Sequence, residues 1–368
     1  DDLTWSLPLT QSQLTALGNG DLTVSASVTN AHGNTGSSSL DVTIDAQLPG
    51  LRIDTVAGDD VINVIEHAQN LVISGTSTDL AAGSTVTVSI NGKSYSASVL
   101  ADGTWQAAVP AADVSRWADG ALTISASAQD TSGNPVNIGT VVDVDLAPVA
   151  ISINSVTDDN VLNAAEKGQD LVLSGSSSNV EAGQTVTIIF AGKTWTTMVD
   201  ANGDWTCTVP AADLSGLKDG DASVQVSVTN VNGNAASSSQ AFSVDTAAPA
   251  VTINTISGDN MLNAAEAAQD LTLSGTSTAE AGQTVTVTFN GNQYTALVQA
   301  NGSWTLDVPA ADLAGIADGS AAVTATVSDK AGNPASAGAS VLVDTTVPQI
   351  TFNIVAGDDI VNIAEHGQ

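Results

Sequence analysis

Acidic side chains recur at fixed places along this chain, in stretches rich in Asp, Asn and Gly. One set lies in loops of similar sequence and consists of Asp59, Asp60, Glu66, Asp158, Asp159, Glu166, Asp259, Glu266, Asp358, Asp359 and Glu365. A second set, three or four positions ahead of a proline, consists of Asp145, Asp245 and Asp344. A third set, each directly before a glycine, consists of Asp119, Asp219 and Asp318. Carboxylate and carbonyl oxygens are the ligands that Ca²⁺ prefers, so these residue types predict calcium binding.

The acids repeat because the whole chain repeats. An Asp that follows Val or Ile and precedes a Pro by three or four residues recurs at Asp45, Asp145, Asp245 and Asp344, which are 100, 100 and 99 residues apart. Self-similarity at a fixed period indicates a tandem array of small domains. We predict complete domains at 46–145, 146–245 and 246–344, the C-terminal half of a domain at 1–45, and the N-terminal stub of another repeat at 345–368. Short linkers that contain Pro predict an extended, monomeric rod.

Short strands separated by turns fill each repeat. In 46–145 we expect strands A to G at 51–56, 70–75, 84–90, 93–100, 104–109, 122–128 and 139–145, with helix only near 111–117 and 63–68. Asn91-Gly92 is a two-residue hairpin signal. This spacing predicts an all-β fold of tandem immunoglobulin-like antiparallel β-sandwich domains. The half-domain would hold only strands E, F and G, so we expect it to fray or to borrow strands.

This fold explains how acids distant in sequence could meet. The AB loop, the EF loop and the exit of strand G share one pole of such a sandwich. Asp59, Glu66 and their neighbours should therefore approach Asp119 and Asp145, with the next domain's FG loop (230–234) on the other side. Carboxylates without Lys or Arg nearby repel one another. A shared divalent cation would relieve that repulsion, so we predict Ca²⁺ at each joint.

Several of these residues also have simpler interpretations. Asp and Asn cap turns, and Glu begins helices, without any ion. Asp130, Asn230 and Asp329 in the FG turns could form Asx-turns or bind an ion with the neighbouring domain. A second ion site could involve the BC-loop residues Asp79, Glu181 and Glu280. We predict that Asp113, Asp213 and Asp312 are helix N-caps.

Composition excludes several classes of function. The formal net charge of -32 excludes a nucleic-acid binder that tracks phosphates. A hydrophobic content of 42% argues against a disordered acidic chain. The single cysteine, Cys207, cannot form a disulfide within the chain. No apolar run is long enough to span a membrane. Residues 2–5 align with 102–105, in mid-repeat, so we expect the chain to be part of a longer protein.

Catalysis and ligand binding have few candidates. The three histidines lack the companions that a triad or a zinc site requires, so we predict that the chain is not an enzyme. Trp5, Trp105, Trp205 and Trp304 share one repeat position, which favours a packing role. Trp195 stands where the other repeats have tyrosine and is the nearest candidate for binding a glycan.

The motifs together resemble a known family. The string VDTAAP…INTISGDNMLNAAEAAQDLTLSGTS…AGQTVTVTFNG…NGSWTLDVPAADLAGIADGSAAVTATVSDKAGN is similar to the bacterial Ig-like repeats of giant non-fimbrial adhesins of the SiiE type, which are exported by type I secretion. The resemblance implies a secreted fibre retained at the bacterial cell surface, stiffened by Ca²⁺, that presents adhesive parts to a host cell-surface glycan or receptor. In the alternative, one of these domains is itself the glycan- or receptor-binding module.

Overall fold

The computed structural model describes residues 4–354, 360, 363 and 366. Within these residues the chain forms three immunoglobulin-like β-sandwiches, each with its own cluster of buried hydrophobic side chains. The predicted all-β fold class is confirmed. One cluster falls in each of the three predicted complete domains, while the boundaries of those domains stay a prediction.

The first sandwich follows an N-terminal hairpin. The hairpin region contains α1 (Gln11–Ala16), β1 (Gly20–Thr29) and β2 (Thr35–Ile44). The first sandwich contains β3 (Gly50–Ile53), β4 (Val61–Ile62), β5 (Leu71–Thr78), β6 (Thr85–Ile90), β7 (Lys93–Ser98), β8 (Thr104–Val109), α2 (Ala111–Val114), β9 (Gly120–Gln129) and β10 (Pro135–Val144). A single 3₁₀ turn, Glu66–Ala68, lies between β4 and β5.

The next two sandwiches repeat this order. The second contains β11 (Ala150–Ile151), β12 (Val161–Leu162), α3 (Ala164–Lys167), β13 (Leu171–Ser178), β14 (Thr185–Phe190), β15 (Lys193–Met198), β16 (Asp204–Val209), α4 (Ala211–Leu214), β17 (Gly220–Thr229) and β18 (Ala235–Val244). The third contains a 3₁₀ turn (Ile256–Gly258), β19 (Met261–Asn263), β20 (Leu271–Thr276), β21 (Thr284–Phe289), β22 (Asn292–Leu297), β23 (Ser303–Val308), α5 (Ala310–Leu313), β24 (Gly319–Ser328) and β25 (Pro334–Asp344).

Each sandwich is built from two sheets, a larger one of five strands and a smaller one of three strands, which in the third sandwich is reduced to β20-β23 with an isolated bridge between Val251 and Ser277. In the first, one sheet has the order β3-β5-β8 and the other β4-β10-β9-β6-β7. Side chains alternate between buried and more exposed along the inner strands, as in Thr85–Ile90. This period of two places one face of each sheet in the core. The hairpin at Asn91-Gly92 has positive φ at both residues, as a tight type I′ turn requires.

The entry strand differs from the prediction. Strand A was expected over 51–56, but β3 ends at Ile53 and the chain then crosses to the other sheet. There β4, within the predicted acidic loop, pairs in parallel with β10, Ile62 opposite Val144. The equivalent parallel pairs recur in the second and third sandwiches. A two-residue strand gives too little alternation to be recognised in sequence.

In the half-domain β1 pairs with β2, whereas residues 4–9 form no strand and Trp5 is 71% exposed instead of packed. The predicted N-caps are wrong. Asp113 is not an N-cap: Pro110 occupies that position without a side-chain cap. Asp113 pairs with Lys93 and accepts a hydrogen bond from the Tyr95 hydroxyl at 3.1 Å. The N-caps before α4 and α5 are likewise Pro210 and Pro309.

A tryptophan packed against a glycine is the centre of each core. Trp105, Trp205 and Trp304 are at most 1% exposed, which confirms their predicted packing role. Trp205 lies over Gly175 of β13, where an added Cβ would meet the Trp205 ring at 2.7 Å and the Ser152 carbonyl oxygen at 1.9 Å. Gly75 and Gly275 are enclosed in the same way. Only glycine leaves room for both neighbours.

Gly175→Ala should destabilise the second sandwich by about 3 kcal/mol or more, because the methyl group overlaps backbone as well as the Trp205 ring. Differential scanning calorimetry should show one unfolding transition at a lower temperature. Gly216→Ala is the matched control, since its Cβ would have no neighbour within 4 Å. Equal melting of the two variants would contradict this account of the core.

Candidate functional site

The joint between the first and second sandwiches, here called the middle joint, is centred on Asp145. Its Oδ2 accepts hydrogen bonds from Asn232 Nδ2 at 2.7 Å and Asn230 Nδ2 at 3.3 Å. Both asparagines belong to the FG loop of the second sandwich, between β17 and β18. The backbone N–H of Ala147 donates to Asp145 Oδ1 at 3.0 Å. The linker carboxylate is thus surrounded by donors from the domain that follows it.

A buried asparagine connects the two sandwiches directly. Asn234 is 3% exposed, and its Nδ2 donates to the main-chain oxygen of Asp145 at 3.0 Å. Its Oδ1 accepts the N–H of Val64, in the first sandwich, at 2.8 Å. Because one amide side chain supplies both a donor and an acceptor, it ties the loop after β4 to the start of the next domain.

The EF-loop acids lie at the same pole as the linker. Asp119 Oδ1 accepts the N–H of Leu146 at 2.7 Å. Asp219 accepts the backbone N–H and hydroxyl of Thr246, at 3.1 and 2.7 Å. Asp318 accepts the N–H of Thr345 at 2.7 Å. These acids therefore fix the first linker residue after strand G, beside the linker aspartates.

The loop acids make local contacts. Asp60 Oδ1 accepts the N–H of Val56 at 2.8 Å, and Asp59 Oδ1 accepts that of Val61 at 3.0 Å. Glu66 Oε2 accepts the N–H of Asn63 at 3.1 Å, as in a capping box. The same contacts recur at Asp159, Glu166, Asp259 and Glu266. For Asp158 no side-chain hydrogen bond is made within the described part of the chain.

Among the described residues, no three Asp, Glu, His or Cys side chains form a group that could hold a metal ion. The linker and EF acids lie at the same pole of the sandwich. The carboxylates of the loop acids instead accept hydrogen bonds from the backbone of their own turns. Asp358, Asp359 and Glu365 lie outside the described residues. The metal-binding role of all these residues, including Asp344, stays a prediction.

The joint between the second and third sandwiches, here called the last joint, has the same backbone contacts and different charges. Asn333, 1% exposed, donates from Nδ2 to the main-chain oxygen of Asp245 at 2.9 Å and to Asp329 Oδ2 at 3.0 Å. Asp329 is itself 8% exposed. Asp245 Oδ1 accepts the N–H of Ala247, while its Oδ2 accepts no hydrogen bond from the described residues.

The joint between the N-terminal hairpin and the first sandwich, here called the first joint, follows the same plan. Asn134 Nδ2 donates to the main-chain oxygen of Asp45 at 3.2 Å. Asp130 accepts from Asn134 through both carboxylate oxygens, at 2.8 Å each. The Ser132 hydroxyl donates to Asp45 Oδ2 at 2.8 Å.

Two of the three BC-loop acids bind the FG loop, and the third binds the linker. Glu181 Oε2 accepts the N–H of Val231 at 3.0 Å, and Glu280 Oε2 accepts that of Lys330 at 2.9 Å. Asp79 accepts from the Gln47 side chain at 2.7 Å. Their carboxylates thus lie at the joints, each with one backbone or side-chain donor.

No joint carboxylate forms an ion pair in the described part of the chain, and Lys330, which follows Asp329 in the FG loop, is in none of the ion pairs there. The ion pairs there are Arg52 with Asp54, Lys93 with Asp113, and Lys193 with Asp213. At the middle joint, the hydrogen bond from Asn232 lowers the pKa of the Asp145 carboxyl below its ordinary value. Burial of the carboxyl raises the same pKa and so opposes this effect. Hydrogen bonds from Ala147, Asn230 and Asn234 lower the pKa further. The negative charge of the Asp145 carboxylate is therefore stabilised by hydrogen bonds from neutral donors.

Trp195 packs its ring against the core of the second sandwich and is partly buried. Its neighbour Met198 on the same strand is 67% exposed. The most pronounced surface grooves of the described residues lie along sheet faces or beside α5, and no acidic or basic side chain lines them. The glycan-binding role of Trp195 stays a prediction.

The sequence reasoning missed Asn63, Asn163 and the exact function of the FG asparagines. Asn63 Oδ1 caps the turn before Glu66, and its Nδ2 lies beside the tightly packed Gly233. Gly-Asn recurs at 133–134, 233–234 and 332–333. That recurrence was a signal that the amide itself, in addition to the acids, is needed at each joint.

Asn232→Ala should raise the pKa of Asp145, because it removes the strongest of the hydrogen bonds that lower it. Since the folded pKa lies below the unfolded one, ionised Asp145 stabilises the folded state above the ordinary pKa of aspartate. This stabilisation is lost as the pH falls through the lowered pKa. Carboxyl ¹³C NMR titration of the full chain measures the shift. Asn292→Ala, at an exposed position of β22 in the third sandwich, is the control, and an Asp145 pKa equal in both variants would contradict the assignment.

Among the described residues no helix has the length and apolar character needed to cross a membrane. A search of curated proteins finds no match. Among solved structures, a Ca²⁺-stabilized adhesin that helps an Antarctic bacterium reach out and bind ice is 35% identical over 92% of this chain and 85% of its own, with a TM-score of 0.44. A structure concerning host cell surface retention of a 1.5-MDa bacterial ice-binding adhesin is 35% identical over 81% of this chain and 98% of its own, with a TM-score of 0.46.

A tetra-tandem repeat from the extending region of a large adhesion protein is 30% identical over 90% of this chain and 84% of its own, with a TM-score of 0.33. The family model of the bacterial Ig-like domain matches residues 155–246 and 248–345, which together are just over half of the chain. These two matches contain the second and third sandwiches. The chain therefore belongs to the bacterial Ig-like domain family.

Proposed function

We propose that this chain is a calcium-stiffened repeat segment of a bacterial surface adhesin. The observation that carries the proposal is that carboxylates of two adjoining domains lie at each joint and form no ion pair among the described residues, as at Asp245 and Asp329. Each sandwich has its own core, so the joints are the places where a cation could change the mechanics of the chain without refolding its domains.

The last joint offers oxygen ligands of the type that Ca²⁺ prefers, which are not gathered into a ready-made site among the described residues. Asp245 offers a carboxylate oxygen that accepts no hydrogen bond from the described residues. Asp329 and Glu280 add carboxylates from the FG and BC loops of the next sandwich. All of these are hard oxygen ligands, and flexible oxygen coordination is what Ca²⁺ accepts. Bound Ca²⁺ would supply the positive charge that no ion pair of the described residues supplies at this joint.

The consequence would be mechanical. Asp245 belongs to the linker that follows the second sandwich, while Asp329 and Glu280 belong to the third. A cation held by both would limit bending of one domain against the other. A chain of sandwiches stiffened in this way would serve as a monomeric, extended spacer.

The adhesive context rests on family membership and on sequence identity of 30 to 35% with adhesin segments. We place the protein outside the cell, retained at the bacterial surface, with export by type I secretion as the narrower part of the proposal. Contact with a host glycan or receptor would be made by the larger adhesin. Structural modules of this family need no catalytic site, and we propose none.

Small-angle X-ray scattering of the full chain, in calcium and in chelator, tests the proposal. We expect chelation to shorten the maximum dimension and to increase flexibility, because the joint carboxylates then repel without a bridge. Asp245→Asn with Asp329→Asn should reduce this response. The control, Asp41→Asn with Asp307→Asn, removes equal charge at exposed positions of β2 and β23, outside the linker and the EF, FG and BC loops. A scattering curve that is the same with and without calcium would overturn the proposal.

A further inference from the structure

We propose that Asn232 is a site of self-modification: when the middle joint opens, the side-chain amide of Asn232 reacts with the backbone nitrogen of Gly233, and the acid that forms opposes closure of the joint. The inference concerns the amide contacts of this joint and does not depend on calcium. It therefore goes beyond the proposed function, and either can fail without the other.

The reacting pair lies in the FG turn of the second sandwich. Asn232-Gly233 stands where the other two sandwiches have Ser132-Gly133 and Ala331-Gly332, so neither of those turns has an amide to lose at this position. Asparagine is a chemically labile residue. Glycine after it leaves the attacking nitrogen unshielded, because glycine has no side chain. The pair is thus of the type most open to loss of the amide.

The reaction is a cyclisation followed by a hydrolysis. The Gly233 nitrogen loses its proton to solvent and bonds to Asn232 Cγ. The bond from Cγ to Nδ2 breaks, and Nδ2 takes a proton from solvent and leaves as ammonia. Water then opens the cyclic imide at either carbonyl carbon. One opening leaves aspartate at position 232, and the other leaves isoaspartate, in which the main chain runs through the side-chain carbon.

The closed joint holds both reacting groups. Asn232 Nδ2 donates to Asp145 Oδ2 at 2.7 Å, and the Gly233 N–H donates to the main-chain oxygen of Asn230 at 3.2 Å. Both members of the pair are partly buried. The reaction takes the proton from one of these donors and removes the other, so both hydrogen bonds must break first. It therefore proceeds from a locally opened joint.

A bridging asparagine in the same turn keeps the joint closed. Asn234 is 3% exposed, and it connects the main-chain oxygen of Asp145, at 3.0 Å, to the N–H of Val64, at 2.8 Å. The group that closes the joint and the group that reacts in the open joint are thus two positions apart. Any change that releases Asn234 should expose Asn232.

The product no longer fits the closed joint. An aspartate at position 232 places a carboxylate where Nδ2 donated to Asp145. Two carboxylates cannot make that hydrogen bond, and their charges repel. Isoaspartate adds a main-chain atom just before Asn234 and shifts it from its partners. The turn also packs closely on the first sandwich, since a Cβ added at Gly233 would lie 2.9 Å from Asn63 Nδ2.

Peptide mapping by mass spectrometry, on the full chain held in calcium-free buffer at mildly alkaline pH, measures conversion at position 232. Asn234→Ala removes the bridge and leaves the reacting pair in place. We expect it to speed the conversion about fivefold or more, because loss of a buried bridging amide raises the open fraction by such a factor. Asn333→Ala removes the equivalent bridge of the last joint. It is the matched control and should leave the rate at 232 unchanged.

A second variant and an internal reference distinguish opening of the joint from loss of the fold. Asp145→Ala removes the acceptor of Asn232 Nδ2 and should also speed the conversion, with circular dichroism as the check on folding. Asn290-Gly291, at the exposed hairpin tip between β21 and β22, is a second pair of the same type. Its rate should be the same in the native chain, Asn234→Ala and Asp145→Ala.

Hydrogen exchange of the Val64 N–H, followed by NMR in the same buffer, reports whether the converted joint still closes, because Asn234 Oδ1 accepts that N–H. Asn232→Asp reproduces one product and should speed the exchange about fivefold or more. Asn232→Ser supplies a hydroxyl donor, as Ser132 does at the first joint, and has no amide to lose. It should keep the native exchange rate.

Three results would overturn the inference. The first is a conversion rate at 232 that is equal in the native chain, Asn234→Ala and Asp145→Ala. The second is an equal acceleration at 232 and 290, since the joint would then have no special control over the reaction. The third is native exchange of the Val64 N–H in Asn232→Asp. All samples lack calcium, so these results leave the proposed calcium stiffening to the scattering experiment.

Discussion

The hydrogen bond from an FG-loop asparagine to the main-chain oxygen of the preceding linker aspartate is the contact on which every described joint depends. It recurs from Asn134 to Asp45, from Asn234 to Asp145 and from Asn333 to Asp245. A buried amide or carbonyl that loses its partner costs on the order of 1–3 kcal/mol. This bond therefore fixes where each linker carboxylate lies, and the charges around it determine what else the joint requires.

The domains and the joints are stabilised by different forces. Each sandwich buries a tryptophan on a glycine inside a closed apolar core, with no contribution from its neighbours to that cluster. The joints are polar and rich in oxygen acceptors, with few donors and no ion pair among the described residues. Conditions that change electrostatics, such as divalent cations, salt and acid, should consequently act on the joints before they act on the cores.

Much of the fold could be predicted from sequence because alternation and turns are local signals. The alternation in Thr85–Ile90 and the Asn91-Gly92 turn predicted a hairpin that the structure contains. The pole shared by Asp119 and Asp145 followed from strand order alone. Side-chain pairing could not be predicted in this way. Asp113 binds Lys93, 20 positions away, and Asp60 binds the backbone of its own turn. The spacing of residues in the sequence does not indicate which of these partners an aspartate takes.

The repeat pattern also concealed the differences between joints. The recurring motifs drew attention to the acids, whereas the joints differ in their amide side chains. Asn230 and Asn232 both donate to the linker carboxylate of Asp145. Asp329 and Ala331, at the equivalent positions, donate no hydrogen bond to the side chain of Asp245. Only the placement of these loops against the linkers shows that the substitutions face the same group. A repeat protein can therefore vary the ionic character of its joints while keeping one backbone plan.

The most direct measurement is an anomalous difference map from crystals of the full chain grown in millimolar calcium. The account predicts a calcium peak between the second and third sandwiches, within coordination distance of Asp245 and Asp329. A well-ordered last joint with its carboxylates resolved and no anomalous density beside them would contradict it.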